Sequence, residues 1–316
     1  MSELIVVGVV QASPVFMNLE ASLVKATRLI AEAAGKGATL VAFGETWLAG
    51  YPAWLDYCPQ AALWDHEPTR EVFARLRQNS LVVSSREAKL LGEAAADFNV
   101  TLVMGVNERV DSGPGNGTLY NSLLTFGPDG KLLNHHRKLV PTYTERLVWG
   151  PGDGDGLKAV ETPAGRVGSL VCWEHWMPLA RHMLHVSGER IHVAVWPTVH
   201  EMHQVACRHY AFEARCFVLG AGLIMPVRDL PVEFELPAGL SGKPDELLLR
   251  GGSCVIGPDG HYLAGPVFNE ETILMAELDP AAIDKGKMTL DVSGHYYRPD
   301  VFDVKLHKNS RAVDEA

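Results

Sequence analysis

The tetrapeptide Gly-Pro-Asp-Gly stands twice in this chain, at 127–130 and 257–260, each time between two short runs rich in apolar residues. Pro followed by Asp-Gly favours a tight reversal, so each copy predicts a hairpin: Ser122–Phe126 with Lys131–His135, and Ser253–Ile256 with His261–Ala264. Similar patterns precede each hairpin. Residues 4–10 read as a continuously apolar strand. Leu19, Leu23, Ala26, Ile30 and Ala33 then recur at helical spacing, and 39–43 form the next buried strand. Asn18 is placed to cap that helix, and Gly35 or Gly37 to end it. In the second half a strand from Arg166 to Val171 leads to a helix opening at Pro178 and a strand over Ile191–Trp196. A helix over 201–217 and a strand over Val218–Ile224 follow. Two halves built of strand, helix, strand and hairpin predict two similar α/β sheets packed together, not one long doubly wound sheet. The stretches 53–80 and 226–248 fit no periodic template and read as insertions, suited to pocket walls or subunit contacts.

A chain of 316 residues, 47% hydrophobic and 21% charged, has ample material for a globular core. Its 28 Lys and Arg are scattered and outnumbered by 38 Asp and Glu, which argues against nucleic acid and anionic membrane as partners. The apolar runs are shorter than the roughly 20 residues that span a bilayer, and Met1-Ser2-Glu3 leads straight into Leu4-Ile5-Val6-Val7 without a secretion signal, so a cytoplasmic location is expected. Five separated cysteines, an odd number with no Cys-x-x-Cys pair, predict reduced thiols.

Three residues combine chemical capacity with positions at strand ends, where α/β sheets present their chemistry. Cys172, in Val171-Cys172-Trp173-Glu174-His175, lies at a sharp change from strand to helix, where a side chain is exposed and backbone N–H groups converge. A nucleophile is one reading; a small buried core thiol is the other. Glu45, in Phe43-Gly44-Glu45-Thr46-Trp47, interrupts apolar sequence, as a general base or one half of a structural ion pair would. Lys138, in His135-His136-Arg137-Lys138, belongs to a solvated basic cluster or else stabilises developing negative charge and a nearby thiolate.

Taken with their neighbours, these residues resemble the three catalytic blocks of the nitrilase superfamily. The blocks are Phe43-Gly44-Glu45 with Gly50-Tyr51-Pro52, Arg137-Lys138-Leu139-Val140-Pro141-Thr142, and Cys172-Trp173-Glu174 with Met177-Pro178-Leu179. Cys172-Trp173-Glu174 and the segment Ser293-Gly294-His295-Tyr296-Tyr297-Arg298-Pro299-Asp300 resemble the branch of true nitrilases and cyanide-degrading enzymes. The resemblance covers nearly the whole chain. It implies a single domain over 1–316 with a C-terminal tail from about 285, folded as a four-layer α-β-β-α sandwich and assembled as homodimers or larger homo-oligomers, spirals included. It implies a nitrilase that converts a small nitrile to a carboxylic acid and ammonia through a covalent adduct on Cys172, without a cofactor. The second glutamate of the family falls on Glu145, for which a surface pair with Arg146 is the alternative. An amidase, a carbamoylase and a cyanide-degrading enzyme share the same thiol chemistry, and a catalytically silent oligomeric binding protein is the reading outside enzymes.

Aromatic residues near the three blocks supply pocket candidates: Tyr51, Trp54, Trp173 and Trp196, joined by His175. Cys58 lies in the first insertion and is a further candidate, whereas Cys207, Cys216 and Cys254 read as core. No metal is expected, because His200-Glu201-Met202-His203 and His182 with His185 have the wrong spacing or lack a third ligand.

Overall fold

The computed structural model describes residues 4–308, so the last part of the expected tail, 309–316, lies outside the described residues. In chain order the elements are β1 (Ile5–Gln11), α1 (Leu19–Gly35), β2 (Leu40–Phe43), α2 (Trp54–Tyr57), α3 (Glu67–Gln78), α4 (Arg86–Asp97), β3 (Thr101–Arg109), β4 (Leu119–Phe126) and β5 (Leu132–Arg137). The second half contains β6 (Val160–Thr162), β7 (Gly165–Val171), α5 (Pro178–Val186), β8 (Ile191–Val195), α6 (Glu201–Ala214), β9 (Phe217–Ala221), β10 (Ile224–Pro226), β11 (Leu247–Ile256), β12 (Tyr262–Phe268), β13 (Thr272–Leu278) and α7 (Ala281–Lys287).

Two sheets result. One runs β13-β1-β2-β3-β4-β5; the other runs β10-β11-β9-β8-β7-β6, with β12 paired to β11. β1 shows how the layers are built. Val10 packs with Leu23, Ala26 and Ile30 of α1, whereas Val7 and Val9 pack with Val171, Val193 and Val218 of the opposite sheet. Side chains of a strand alternate between its faces, so one apolar run serves both the helix outside and the sheet inside. On the far side, Ala180 and Leu184 of α5 and Ala206, Cys207 and Tyr210 of α6 cover the second sheet. The order is therefore helix, sheet, sheet, helix, as the resemblance implies.

Both Gly-Pro-Asp-Gly turns join antiparallel strands, β4 to β5 and β11 to β12, and Asn18 accepts the N–H of Ala21 at 3.0 Å to cap α1. Other expectations need correction. The helix expected over 201–217 stops at Ala214, where Arg215 turns left-handed, and the strand expected over 218–224 is interrupted, β9 ending at Ala221 and β10 starting at Ile224. The first insertion contains α3, whose Val72 and Leu76 are buried one turn apart; the surrounding charged residues mask that short stripe. The halves are also not self-contained. β13, near the C-terminus, pairs antiparallel with β1 over Ile5–Gln11 and completes the first sheet.

Candidate active site

Glu45, Lys138 and Cys172 follow β2, β5 and β7, and the packing of the two sheets brings those strand ends together. The turn carrying Glu45 lies against β3 so closely that a Cβ on Gly105 would stand 2.0 Å from the backbone oxygen of Gly44. Only glycine permits that approach. The three connecting loops also share an uncommon backbone conformation: Thr46, Tyr143 and Cys172 have φ of 45°, 44° and 51°. A left-handed residue with a side chain costs of order 1–3 kcal/mol and persists where its surroundings over-determine it.

Lys138 is the hub. Its Nζ donates to Oε1 of Glu45 at 3.0 Å and to Oε1 and Oε2 of Glu145 at 2.9 and 2.6 Å. It is 1% exposed, so it is not part of a solvated basic cluster. Burial opposes its charge, but Glu45, the Cys172 sulfur and Glu145 outweigh it and hold the ammonium protonated well above the ordinary lysine range. Burial pushes the Glu45 carboxyl up to about 7, against the pull of Lys138 and with the help of the like charge on Glu145. Asn121 donates to Oε1 of Glu45 at 2.6 Å, while Oε2 has no hydrogen-bond partner among the described residues. That free oxygen, on a carboxyl poised near neutrality, suits proton transfer.

Glu145 is buried and does not form the surface pair that its neighbour Arg146 suggests. It accepts the backbone N–H of Thr142 at 2.7 Å and the Tyr51 hydroxyl at 3.0 Å, and Arg146 donates instead to the backbone oxygen of Pro141. Cys172 is buried on a short 3₁₀ turn, Cys172–Trp176. Burial and the Glu45 charge raise its thiol well above the ordinary range, while Lys138 and the backbone N–H of Trp173 pull the other way. Burial thus favours the thiol over the thiolate, and Lys138 favours the thiolate.

A cavity of about 820 Å³ opens onto Cys172 and Glu145. Its walls include Tyr51, Tyr57, Val140, Trp173, Leu248 and Leu249, so both insertions reach it, the second at its end. Of the pocket candidates, Tyr51 and Trp173 line it. Trp54, His175 and Trp196 are not among the lining residues. Trp54 packs edge-on against Phe16, and His175 stacks on Trp196 and contacts the Cys172 carbonyl. Cys58 is buried away from it as well. Conversely, His200 and His203, weighed in the sequence only as metal ligands, line the cavity. Asn121 and Glu174 also escaped sequence reasoning: one polar residue inside an apolar strand and one glutamate beside a cysteine carry no local signal of their partners.

Two stacked sheets bring a buried Glu, Lys and Cys to neighbouring strand ends, and the comparison with family models gives the class of protein. The chain belongs to the carbon-nitrogen hydrolase family, whose model matches residues 6–288; it is an enzyme that hydrolyses carbon–nitrogen bonds other than peptide bonds. It is 41% identical over 309 residues to a protein named nitrilase 2 from an unknown prokaryotic organism, covering 97% of this chain and 94% of that one. An aliphatic nitrilase of Sinorhizobium fredii is 38% identical, with 97% and 96% covered. A bifunctional nitrilase/nitrile hydratase of Lupinus angustifolius is also 38% identical, with 94% and 84% covered. Among solved structures, the fold is similar to Nit3 of Saccharomyces cerevisiae, with a TM-score of 0.68 at 21% identity and 94% and 97% of the chains covered. No helix among the described residues is long and apolar enough to cross a membrane.

Proposed function

We propose that this enzyme is a nitrilase that hydrolyses small organic nitriles to carboxylic acids and ammonia, with Cys172 as nucleophile. The observation that carries the reading is the buried Lys138 ammonium, held between two carboxylates and electrostatically joined to the Cys172 sulfur. Such a charge, fixed in a low-dielectric site, meets the negative nitrogen that forms when a thiolate adds to a nitrile. Relatives named nitrilase at 36–41% identity support nitriles as the substrate class.

In this mechanism Glu45 takes the thiol proton as the sulfur adds to the nitrile carbon, and the proton passes to nitrogen to give a thioimidate. Water adds to that carbon with Glu45 as base. Protonation of the nitrogen expels ammonia and leaves a thioester, and a second water releases the carboxylic acid and restores the thiol. Glu145 orients Lys138, and the N–H of Trp173 assists the developing charge. Tyr51, Tyr57, Trp173 and the aliphatic wall favour a substrate with an apolar substituent.

The test is incubation with phenylacetonitrile, phenylacetamide and short aliphatic pairs, with acid, amide and ammonia quantified. Acid and ammonia from nitriles, with slow amide turnover, support the reading. Faster turnover of amides across the pairs makes the enzyme an amidase, and activity confined to cyanide makes it a cyanide-degrading enzyme.

A further inference from the structure

Beside Cys172, titratable side chains that do not line the cavity form an unbroken chain toward the α5–α6 layer. Nδ1 of His175 lies 2.7 Å from the backbone oxygen of Cys172, and its Nε2 lies 3.0 Å from Nε2 of His192. Nδ1 of His192 lies 2.9 Å from Oε2 of Glu189. Oε1 of Glu189 accepts the Tyr210 hydroxyl and lies 2.9 Å from Nδ1 of His185, whose Nε2 is 3.3 Å from Oε2 of Glu213. Arg181 closes a ring by donating from Nε to that Glu213 oxygen and from Nη1 to the backbone oxygen of His175. His175, His192 and Glu189 are all buried, and the two rings are clamped by stacking on Trp196 and Tyr210.

The Cys172 carbonyl only accepts, so the 2.7 Å contact makes Nδ1 of His175 the donor. The Glu189 carboxyl holds the His192 ring from its Nδ1 side, and His192 in turn abuts Nε2 of His175 and fixes the plane of that ring.

We infer that His175, His192 and Glu189 are positioning residues for Cys172: Glu189 and His192 fix the His175 ring, which donates to the Cys172 carbonyl and holds the nucleophile in its left-handed conformation. The inference rests on the reading of Cys172 as the nucleophile. A φ of 51° at Cys172 needs support of this kind. Titratable groups face the pair from the neighbouring elements. His185 of α5, with Glu189 just beyond that helix, stands on one side, and Tyr210, Glu213 and His203 of α6 on another. Glu174, itself bonded to His136 of β5, approaches from the turn after Cys172. Burial draws both rings below the ordinary imidazole range, against the pull of Glu189.

The test uses the full-length enzyme with His192→Ala, His192→Gln and His175→Asn. A Gln amide donates to Nε2 of His175 without titrating, and an Asn amide reaches the Cys172 carbonyl without needing His192. Kinetics with phenylacetonitrile are followed across pH, together with alkylation of Cys172 by iodoacetamide without substrate, read by peptide mass. In His192→Ala, kcat is expected to fall about tenfold or more with KM within about twofold of wild type, and Cys172 alkylation to slow. His192→Gln and His175→Asn are expected to recover most of that loss. A His192→Ala enzyme with wild-type kcat overturns the inference, as does a His175→Asn or His192→Gln enzyme whose kcat falls about tenfold or more below wild type. The second outcome decides even if His192→Ala fails to fold. The alkylation arm separates this failure from that of the mechanism: if Cys172 is not the nucleophile, its complete alkylation in wild type leaves turnover intact.

Discussion

Glu174 accepts the backbone N–H of Leu139 on Oε1 at 2.7 Å, and so ties the residue beside Lys138 to the turn that carries Cys172. Its other oxygen accepts the N–H of Val171, also at 2.7 Å, and His136 approaches the same carboxylate at 2.9 Å. One buried side chain thereby sets the spacing between the strand end that supplies the ammonium and the one that supplies the thiol.

Glu174→Gln therefore removes more than a charge. A Gln amide presents one oxygen and one NH₂ group, so one of the two backbone N–H groups loses its acceptor and faces a donor. A loss of about 1.5–3 kcal/mol in urea unfolding is expected, with a lower kcat. Burial opposes the charge of Glu174, but His136 and the two N–H groups outweigh it and hold its carboxyl below the ordinary carboxylate range. A depressed group contributes stability above its unfolded pKa and loses it as pH falls through the folded value. The stability gap between wild type and variant should thus shrink as pH drops below roughly 4. A gap independent of pH would remove the electrostatic part of this account.

Cys172→Ala should abolish turnover with little loss of fold, because the exchange deletes the thiolate and almost no packing volume. Cys207→Ala and Cys254→Ala should keep most activity per folded molecule. Lys138→Gln and Glu45→Gln should each lower the rate by orders of magnitude, since both remove charge from a dry site. Intact-protein mass after incubation with a nitrile locates Glu45 in the sequence of steps: an adduct on Cys172 in Glu45→Gln places its main role after thiol addition, and no adduct places it at thiol activation.

The pH dependence follows from the raised carboxyl of Glu45. Its basic form accumulates as pH rises through about 7, so kcat/KM in wild type should climb across that region. Glu145 contributes part of the rise through its like charge, so Glu145→Gln, although slower overall, should shift that limb to lower pH. A shift to higher pH, or none, would mean that burial alone raises Glu45.

Assembly of at least a dimer is expected from the outer faces of α5 and α6. Leu179, Met202, Val205 and Phe212 are all exposed there, from 47% to 64%. Scattered apolar residues are ordinary on a surface, but four on two adjacent helices make a patch suited to a second copy of the chain. Light scattering at micromolar concentration checks this, and a monomer mass with full activity would refute it.

Much of this protein is local information. Strand and helix positions follow from apolar periodicity, the two hairpins from Gly-Pro-Asp-Gly, and the α1 cap from Asn18, because each depends on residues a few places apart. The identities of Glu45, Lys138 and Cys172 as candidates were legible too, through their neighbours and chain order. What the residues around them do was decided only by tertiary structure. Glu145 reads locally as a partner of Arg146, yet it bonds to Lys138; His175 and Trp196 read as pocket residues, yet they stack on each other outside the cavity lining. β13 returning to β1 and Asn121 reaching Glu45 join positions 76 or more residues apart. Local spacing states which residues share a strand or a helix face. Which faces meet, and which buried charges then find one another, depends on the packing of both sheets at once.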